Sequence, residues 1–184
     1  MKVTDDIQER CDELARMILA ACKRRGLYLA CAESLTAGLL SDAFVRIPGA
    51  SEVFLGSAVT YDSAAKSSVL GVEKSVIDAH GVVHPVVAEQ MALGATSLYA
   101  QPSTAGKIVG LATTGVAGPG PDHGHPAGLV YIGLAVPQYV STGKESAVGY
   151  STYSYELHLQ GTREAVRRST VLQLLRRLFQ FVNA

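Results

Sequence analysis

Apolar residues recur at every third or fourth position along the first segment of the chain. Ile7, Cys11, Leu14 and Ile18 lie on one such stripe, which predicts an amphipathic helix from about residue 4 until Gly26 ends it. A second helix is predicted near the C-terminus, where the stripe consists of Val166, Val171, Leu174, Leu175, Leu178, Phe179 and Val182. Each helix is therefore expected to bury one face in a core.

Short, nearly unbroken apolar runs lie between the helical patterns and predict strands. The first two runs, residues 27–32 and 53–61, are typical of strands covered on both faces of a largely parallel sheet. A third strand is predicted over residues 107–113. Two further strands are predicted as neighbours joined through Pro137, and they occupy residues 128–136 and 144–155. The second of these alternates apolar and polar positions, as expected of an edge strand.

Helical patterns connect most of these strands. One helix is predicted over residues 36–47 and a longer one over residues 85–99, where Pro85 suits the first turn. Short helical segments are predicted after Asp62 and after Glu73. Because helices and strands alternate, the sequence predicts a single α/β domain over residues 1–184, with three α/β/α layers and a mostly parallel mixed sheet.

Composition argues against several classes of protein, among them nucleic-acid-binding, membrane-spanning and disulfide-rich proteins. The chain carries 16 Lys plus Arg against 16 Asp plus Glu, so no net field favours nucleic acid or an anionic membrane. No run approaches the ~20 apolar residues of a membrane span, and the first residues lack a signal-peptide pattern, which predicts a cytoplasmic protein. Cys11, Cys22 and Cys31 form no CxxC pair and are interpreted as reduced core thiols.

In open α/β sheets, ligands bind at the carboxyl ends of the strands. The first predicted strand is followed there by Ser34 and Thr36, at a strand-to-helix turn. Free backbone N–H groups and the helix dipole at such a turn could stabilise an oxyanion beside a serine nucleophile. Two interpretations stay open at this stage: Ser34 attacks a substrate with Thr36 positioned next to it, or both residues only cap the helix.

A nucleophilic serine needs a base, and residues 33–38 contain no histidine. Lys66 is the candidate, because it falls in the first turns of the helix predicted after Asp62 and lies near Ser34 if the two strands are neighbours. Burial and the positive end of a helix both lower the pKa of an amine toward the neutral form that a Ser/Lys pair requires. The alternative is an ordinary solvated lysine.

A glycine-containing segment follows the third predicted strand. Gly115 and Gly118 would let the backbone approach a ligand and present N–H groups to an anion, although a plain surface loop is the more common structure for such a pattern. His123 and His125 lie in the continuation of this loop, but no second Cys, His or Asp cluster accompanies them. We therefore expect no metal site.

Taken in order, several segments resemble the motifs of the CinA C-terminal domain family, the nicotinamide mononucleotide amidases, and they occupy residues 32–38, 59–66, 70–72, 85–95, 114–119 and 161–167. The resemblance implies hydrolysis of nicotinamide mononucleotide to nicotinate mononucleotide and ammonia. It implies a Ser/Lys mechanism without metal or other cofactor, with this small nucleotide as the binding partner. Longer family members carry a large N-terminal domain, so this chain is expected to be the stand-alone form.

The resemblance also implies which residues carry the reaction. Ser34 matches the nucleophile and Lys66 its general base, with Tyr61 beside them in the catalytic group. The resemblance also implies that an arginine at the start of the last helix, Arg163 in preference to Arg167, contacts the nucleotide, and a guanidinium can form forked hydrogen bonds with its phosphate. The matching substrate-binding positions are Glu33, Thr36, Gly38, Thr114, Gly115, Ala117, Gly118, Arg163 and Arg167.

Some positions depart from the family's usual residues. Leu35 and Ala37 stand where Cys and Gly are more typical, Ser63 and His84 replace a frequent Asn and Ser, and His125 replaces a lysine. A second hypothesis is therefore a non-catalytic nucleotide-binding or regulatory module of the same fold. The C-terminal helix and the edge strand are candidate surfaces for a homodimer, although a monomer core would use the same pattern.

Overall fold

The structure is a computed structural model that describes residues 2–144 and 146–183. Its sheet has the order β2-β1-β3-β4-β5 and consists of β1 (Tyr28–Glu33), β2 (Phe54–Val59), β3 (Ile108–Gly115), β4 (Leu129–Pro137) and β5 (Tyr150–His158). Strand β1 is parallel to β2 and β3, whereas β4 is antiparallel to both β3 and β5. Only β4 runs against the other strands of this sheet, which confirms the mostly parallel mixed sheet.

Helices cover both faces of the sheet and complete the three predicted layers. They are α1 (Lys2–Arg25), α2 (Leu39–Val45), α3 (Ser63–Leu70), α4 (Lys74–His80), α5 (Pro85–Leu98), α6 (Gln138–Thr142) and α7 (Arg163–Val182). The first, second and last pack on one face, and α3 and α5 pack on the other. In β1, Leu29 and Cys31 face the first layer while Ala30 and Ala32 face the second. This alternation follows from the two-residue period of a strand.

Two glycines let α5 lie unusually close to the sheet. A Cβ at Gly110 would lie 2.0 Å from the Ala92 carbonyl oxygen, and one at Gly133 would lie 2.2 Å from that of Ala88. Any larger residue would push the helix away from β3 and β4. The close packing fixes α5 against β3 and β4.

Most predicted helices are present, with two shifted starts. The first helix begins at Lys2 and ends at Arg25, where Gly26 adopts a φ of 64°, as expected of a glycine that ends a helix. Helix α2 begins at Leu39 rather than at residue 36. A turn over residues 34–38 occupies the intervening positions, and the Gly38 N–H at its end donates to the Glu33 carboxylate.

The strands differ from prediction in two respects. Strand β2 is a half-buried strand at the edge of the sheet, not a fully covered one. Strand β5 is an edge strand as predicted, but it begins at Tyr150 because α6 intervenes after Pro137. The hydroxyls of Ser141 and Thr142 donate to the Gln138 carbonyl and stabilise this extra helical turn.

The apolar stripes of α1 and α7 are buried in the hydrophobic core of this chain. In α7 the buried residues are Val166, Thr170, Val171, Leu172, Leu174, Leu175, Leu178 and Val182. Cys11, Cys22 and Cys31 are buried free thiols, as interpreted from the sequence. Over the described ranges, no helix is long and apolar enough to cross a membrane.

Candidate active site

The carboxyl ends of three neighbouring strands meet at Ser34. Glu33 of β1 lies in register with Val59 of β2 and with Thr113 of β3. The Ser34 N–H donates to the Thr113 carbonyl over 3.0 Å, and the Thr60 N–H donates to the Glu33 carbonyl over 2.9 Å. Ser34 is thereby fixed at the sheet edge between residues of both neighbouring strands.

Helix α3 brings Lys66 to Ser34. Asp62 caps this helix, because its carboxylate accepts the N–H groups of Ala64 and Ala65 over 2.9 and 3.2 Å. Lys66 follows one turn later, and its Nζ lies 3.2 Å from Ser34 Oγ. The side chain of Lys66 has no exposed surface, and Ser34 is only 7% exposed. The proximity predicted from the sequence is therefore present.

The surroundings of Lys66 suit a neutral amine. Burial lowers the pKa of Lys66 from its ordinary value of 10.5 to about 8, although the nearby Asp62 carboxylate opposes this shift. Nζ also donates to the carbonyl oxygens of Thr60 at 2.7 Å and Tyr61 at 3.4 Å. A neutral amine has two N–H bonds and one lone pair. With both hydrogens on these carbonyls, the lone pair faces Ser34 Oγ.

Glu33 lies beneath the turn that carries Ser34. Its carboxylate is fully buried and accepts hydrogen bonds from the N–H groups of Gly38, Leu40 and Ser41 and from the Ser57 hydroxyl. These donors satisfy a charge that would otherwise be costly to bury. They also occupy the N–H groups at the start of α2, so that end of the helix is already bound to Glu33.

The capping interpretation of Ser34 and Thr36 is wrong. Helix α2 has Gly38 at its N-cap, and its first N–H groups donate to the Glu33 carboxylate rather than to Ser34 or Thr36. The Thr36 hydroxyl is buried and pairs with that of Thr113 at 2.8 Å, while Ser34 Oγ contacts Lys66. Thr36 therefore ties the turn to β3.

The turn is strained at Ala37. This exposed residue adopts a φ of 46°, in the left-handed region that glycine tolerates best. The left-handed conformation raises the backbone energy of an alanine by about 1–2 kcal/mol relative to the right-handed one. The strain lies three positions after the serine, in the segment that leads into α2.

We expect Ala37→Gly to raise the free energy of unfolding by up to about 1 kcal/mol, since relief of strain exceeds the added chain entropy of glycine. Urea denaturation measures the change. Ala20→Gly is the matched control, because Ala20 is also exposed but lies inside α1. That substitution should lower stability by about 1 kcal/mol. A loss of stability in both variants would contradict the strain.

A polar cleft of about 270 Å³ opens beside Ser34 and is lined by Leu35, Tyr61, Gly115, Val116, Ala117, Gly118, Pro119, Gly120, Pro121, Asp122 and Arg163. Arg163 crosses this cleft at the start of α7. It donates to the Gly118 carbonyl at 2.7 Å and to the Tyr61 hydroxyl at 3.1 Å. Gly115 cannot carry a side chain, because a Cβ would lie 2.6 Å from the Leu129 carbonyl oxygen.

Arg167 lies against the outside of the turn. Its Nε donates to the Leu35 carbonyl at 2.9 Å and its Nη2 to the Thr36 carbonyl at 2.8 Å. Its Nη1 bonds Glu164 at 2.8 Å. All three guanidinium nitrogens therefore have partners within the fold.

The candidate residues thus separate into two groups. The side chains of Ser34 and Lys66 meet, and the cleft beside them is lined by Tyr61, Gly115, Ala117, Gly118 and Arg163. The other candidates are engaged within the fold, and they are Glu33, Thr36, Gly38, Thr114 and Arg167. The contribution of the Thr60 and Tyr61 carbonyls was missed, since backbone atoms leave no signal in a sequence.

The histidines have separate places. His84 caps α5, where its Nδ1 accepts the Val86 N–H at 3.3 Å, and its ring stacks on His80 with centroids 4.4 Å apart. His123 and His125 lie in the loop after the cleft. Within residues 2–144 and 146–183, no group of three or more His, Cys, Asp or Glu side chains is placed to hold a metal ion.

Comparison with known proteins identifies the family. The sequence model of the CinA C-terminal domain family matches residues 11–182 of this chain. The chain belongs to the CinA family. A solved CinA-family structure, the competence/damage inducible protein CihA from Agrobacterium tumefaciens, superposes with a TM-score of 0.80 at 30% identity and covers 95% of this chain and 96% of its own.

Bacterial relatives carry the same domain in longer chains. A competence-damage inducible protein of Caldanaerobacter subterraneus subsp. tengcongensis is 40% identical over 162 residues, or 88% of this chain and 35% of that protein. A CinA-like protein of Frankia casuarinae is 37% identical over 170 residues, or 91% of this chain and 35% of that protein. The chain thus spans about a third of the length of the CinA relatives it matches.

Proposed function

We propose that this CinA-family domain is an amidase that hydrolyses nicotinamide mononucleotide to nicotinate mononucleotide and ammonia. The observation that carries the proposal is the 3.2 Å contact between Lys66 Nζ and Ser34 Oγ. A buried amine with a pKa near 8 is neutral often enough at physiological pH to accept the serine proton. The family resemblance supplies the nucleotide and the carboxamide as the reacting group.

The reaction follows from these two side chains. Ser34 Oγ attacks the carboxamide carbon while its proton passes to Lys66, and the carbonyl oxygen becomes an oxyanion near the N–H groups of the turn. Lys66 then returns the proton to the leaving nitrogen, the C–N bond breaks, and ammonia departs from an ester on Ser34. Water attacks this ester with Lys66 as base, which releases the carboxylate and restores the serine.

Arg163 and Tyr61 are proposed to receive the nucleotide in the cleft. Two of the donor groups of Arg163 hold Gly118 and Tyr61, and the guanidinium keeps further N–H groups for a phosphate. Gly115, Ala117 and Gly118 line the same cleft with backbone that can approach a ligand. Glu33, Thr36, Gly38, Thr114 and Arg167 support the walls of the site through their contacts within the fold.

The proposal is tested with the purified protein and nicotinamide mononucleotide. We expect ammonia and nicotinate mononucleotide in equal amounts. The matching riboside, which lacks the phosphate, should have a KM at least about 10-fold higher, because a charge-assisted hydrogen bond contributes about 1.5–3 kcal/mol. Arg163→Met should raise KM for the nucleotide but not for the riboside. A folded preparation that releases no ammonia would contradict the proposal.

The contact between Ser34 and Lys66 favours an enzyme over a nucleotide-binding or regulatory module. A binding module would be stabilised against heat by the nucleotide and would keep that response in Ser34→Ala and Lys66→Met, with no product formed. Turnover that depends on both side chains would eliminate the module.

A further inference from the structure

Arg167 makes an unusual set of contacts for a residue beside a candidate nucleophile. Its guanidinium holds two successive carbonyl oxygens of the turn, those of Leu35 and Thr36. The Thr36 carbonyl also accepts the Leu39 N–H at 3.1 Å, whereas Arg167 is the one described hydrogen-bond donor to the Leu35 carbonyl. The side chain is only 23% exposed, so solvent competes weakly for these bonds.

Because peptide units are planar, the two Arg167 contacts also fix the directions of the N–H groups of Thr36 and Ala37. A trans peptide unit directs its C=O and the following N–H in opposite directions. Holding the carbonyl of Leu35 therefore orients the N–H of Thr36, and holding that of Thr36 orients the N–H of Ala37. Among the hydrogen bonds of the described residues, none uses either of these N–H groups.

The two sides of the turn face different parts of the site. Arg167 reaches the carbonyls from α7, which packs with α1 and α2 on one face of the sheet. Lys66 reaches Ser34 from α3, which packs with α5 on the other face. Peptide planarity directs these N–H groups away from Arg167, and Lys66 meets the serine from the layer opposite α7.

We propose that Arg167 is a positioning residue that fixes the peptide units after Leu35 and Thr36 and so holds the N–H group of the exposed Ala37 in place as an oxyanion donor for Ser34. The inference rests on the proposed amidase function and adds the group that organises the turn. Glu33 fixes the far end of the turn through Gly38, and the Ser34 N–H is held by β3. Between these ends the Thr36 hydroxyl pairs with Thr113, and Arg167 holds the carbonyls of Leu35 and Thr36.

This role predicts a particular kinetic signature. The oxyanion exists only after Ser34 attacks, so donors aimed at it stabilise the transition state rather than the bound substrate. Loss of Arg167 should therefore lower kcat and leave KM nearly unchanged. A direct contact with the phosphate would instead raise KM.

The experiment compares Arg167→Met with Arg168→Met. Both arginines lie on α7 and bond Glu164, at 2.8 and 2.7 Å, but the second partner of Arg168 is Gln8 rather than the turn. We expect Arg167→Met to lose about 10²-fold in kcat on nicotinamide mononucleotide, with KM changed by less than about 3-fold. Arg168→Met should change neither value by more than about 2-fold.

A second measurement does not depend on the nucleotide. An alkyl fluorophosphonate reacts when Ser34 Oγ forms a bond to phosphorus, fluoride leaves and the serine proton passes to Lys66. Its phosphoryl oxygen occupies the oxyanion site, so Arg167→Met should slow labelling of Ser34 by about 10²-fold. The thermal unfolding transition shows whether Arg167→Met is folded. If it is not, Arg167→Lys takes its place, because lysine keeps the charge but cannot form the two parallel hydrogen bonds of the guanidinium.

The outcomes separate the two proposals. Labelling of Arg167→Met at the wild-type rate would overturn the positioning role, and so would a raised KM with unchanged kcat. If the wild-type protein released no ammonia but its labelling still depended on Arg167, the proposed substrate would fail and the positioning role would stand. A folded wild-type protein that neither released ammonia nor became labelled at Ser34 would overturn both.

Discussion

Ser34→Ala is expected to reduce ammonia release from nicotinamide mononucleotide by about 10⁴-fold or more. The Ser34 hydroxyl lies within hydrogen-bond distance of the buried Lys66 amine, and alanine offers no atom that can form the ester. Nucleotide binding should persist, because the proposed phosphate contacts lie at Arg163. Steady-state kinetics measures the loss, and thermal shift with the nucleotide measures the retained binding.

Ser41→Ala is the matched control. Ser41 belongs to α2, at the far end of the same turn, and its hydroxyl donates to the Gly38 carbonyl at 2.9 Å without touching Lys66. Its replacement should change the rate by no more than a few-fold. Equal losses in the two variants would mean that the turn, rather than the Ser34 hydroxyl, controls turnover.

Lys66→Arg and Lys66→Met are both expected to lose activity by about 10³-fold or more. Arginine cannot serve as the base, because its guanidinium stays protonated in proteins. In the wild-type protein, the neutral amine is the active form. Since burial lowers the pKa of Lys66 to about 8, kcat/KM should rise with pH and reach half of its maximum near that value.

The same lowered pKa links stability to pH. Between about 8 and 10.5 the unfolded chain retains a proton on Lys66 that the folded protein has released. Wild-type stability relative to Lys66→Met should therefore increase across this window and stay constant below it. Urea denaturation measures the difference. A rate that falls with rising pH, or a Lys66→Arg variant with wild-type turnover, would contradict the assigned base.

Periodicity predicts the elements of this fold better than their places in the sheet. The stripes of α1 and α7 and the apolar runs of β1 and β3 are visible because their residues pack against a continuous core. The run that forms β2 is nearly as apolar, yet the strand lies at the edge. Strand order depends on contacts between distant segments, which a local run does not encode.

The site shows a similar division. The cap at Asp62 and the pairing of β1 with β2 were sufficient to predict that Lys66 lies near Ser34. The family resemblance implies that Glu33 and Arg167 contact the substrate. A charged residue beside a motif gives the same sequence pattern whether it contacts a ligand or the backbone. Their partners are mainly main-chain N–H and C=O groups, which every residue carries.

The central claim is that Ser34 attacks the carboxamide and carries the acyl group. The most direct test mixes the wild-type protein with nicotinamide mononucleotide, quenches the reaction in acid within the first turnover, and measures the mass of the peptide that contains Ser34. The mechanism predicts the acyl mass of nicotinate mononucleotide on that peptide and its absence in Ser34→Ala. Turnover with the acyl group on another side chain would contradict the claim.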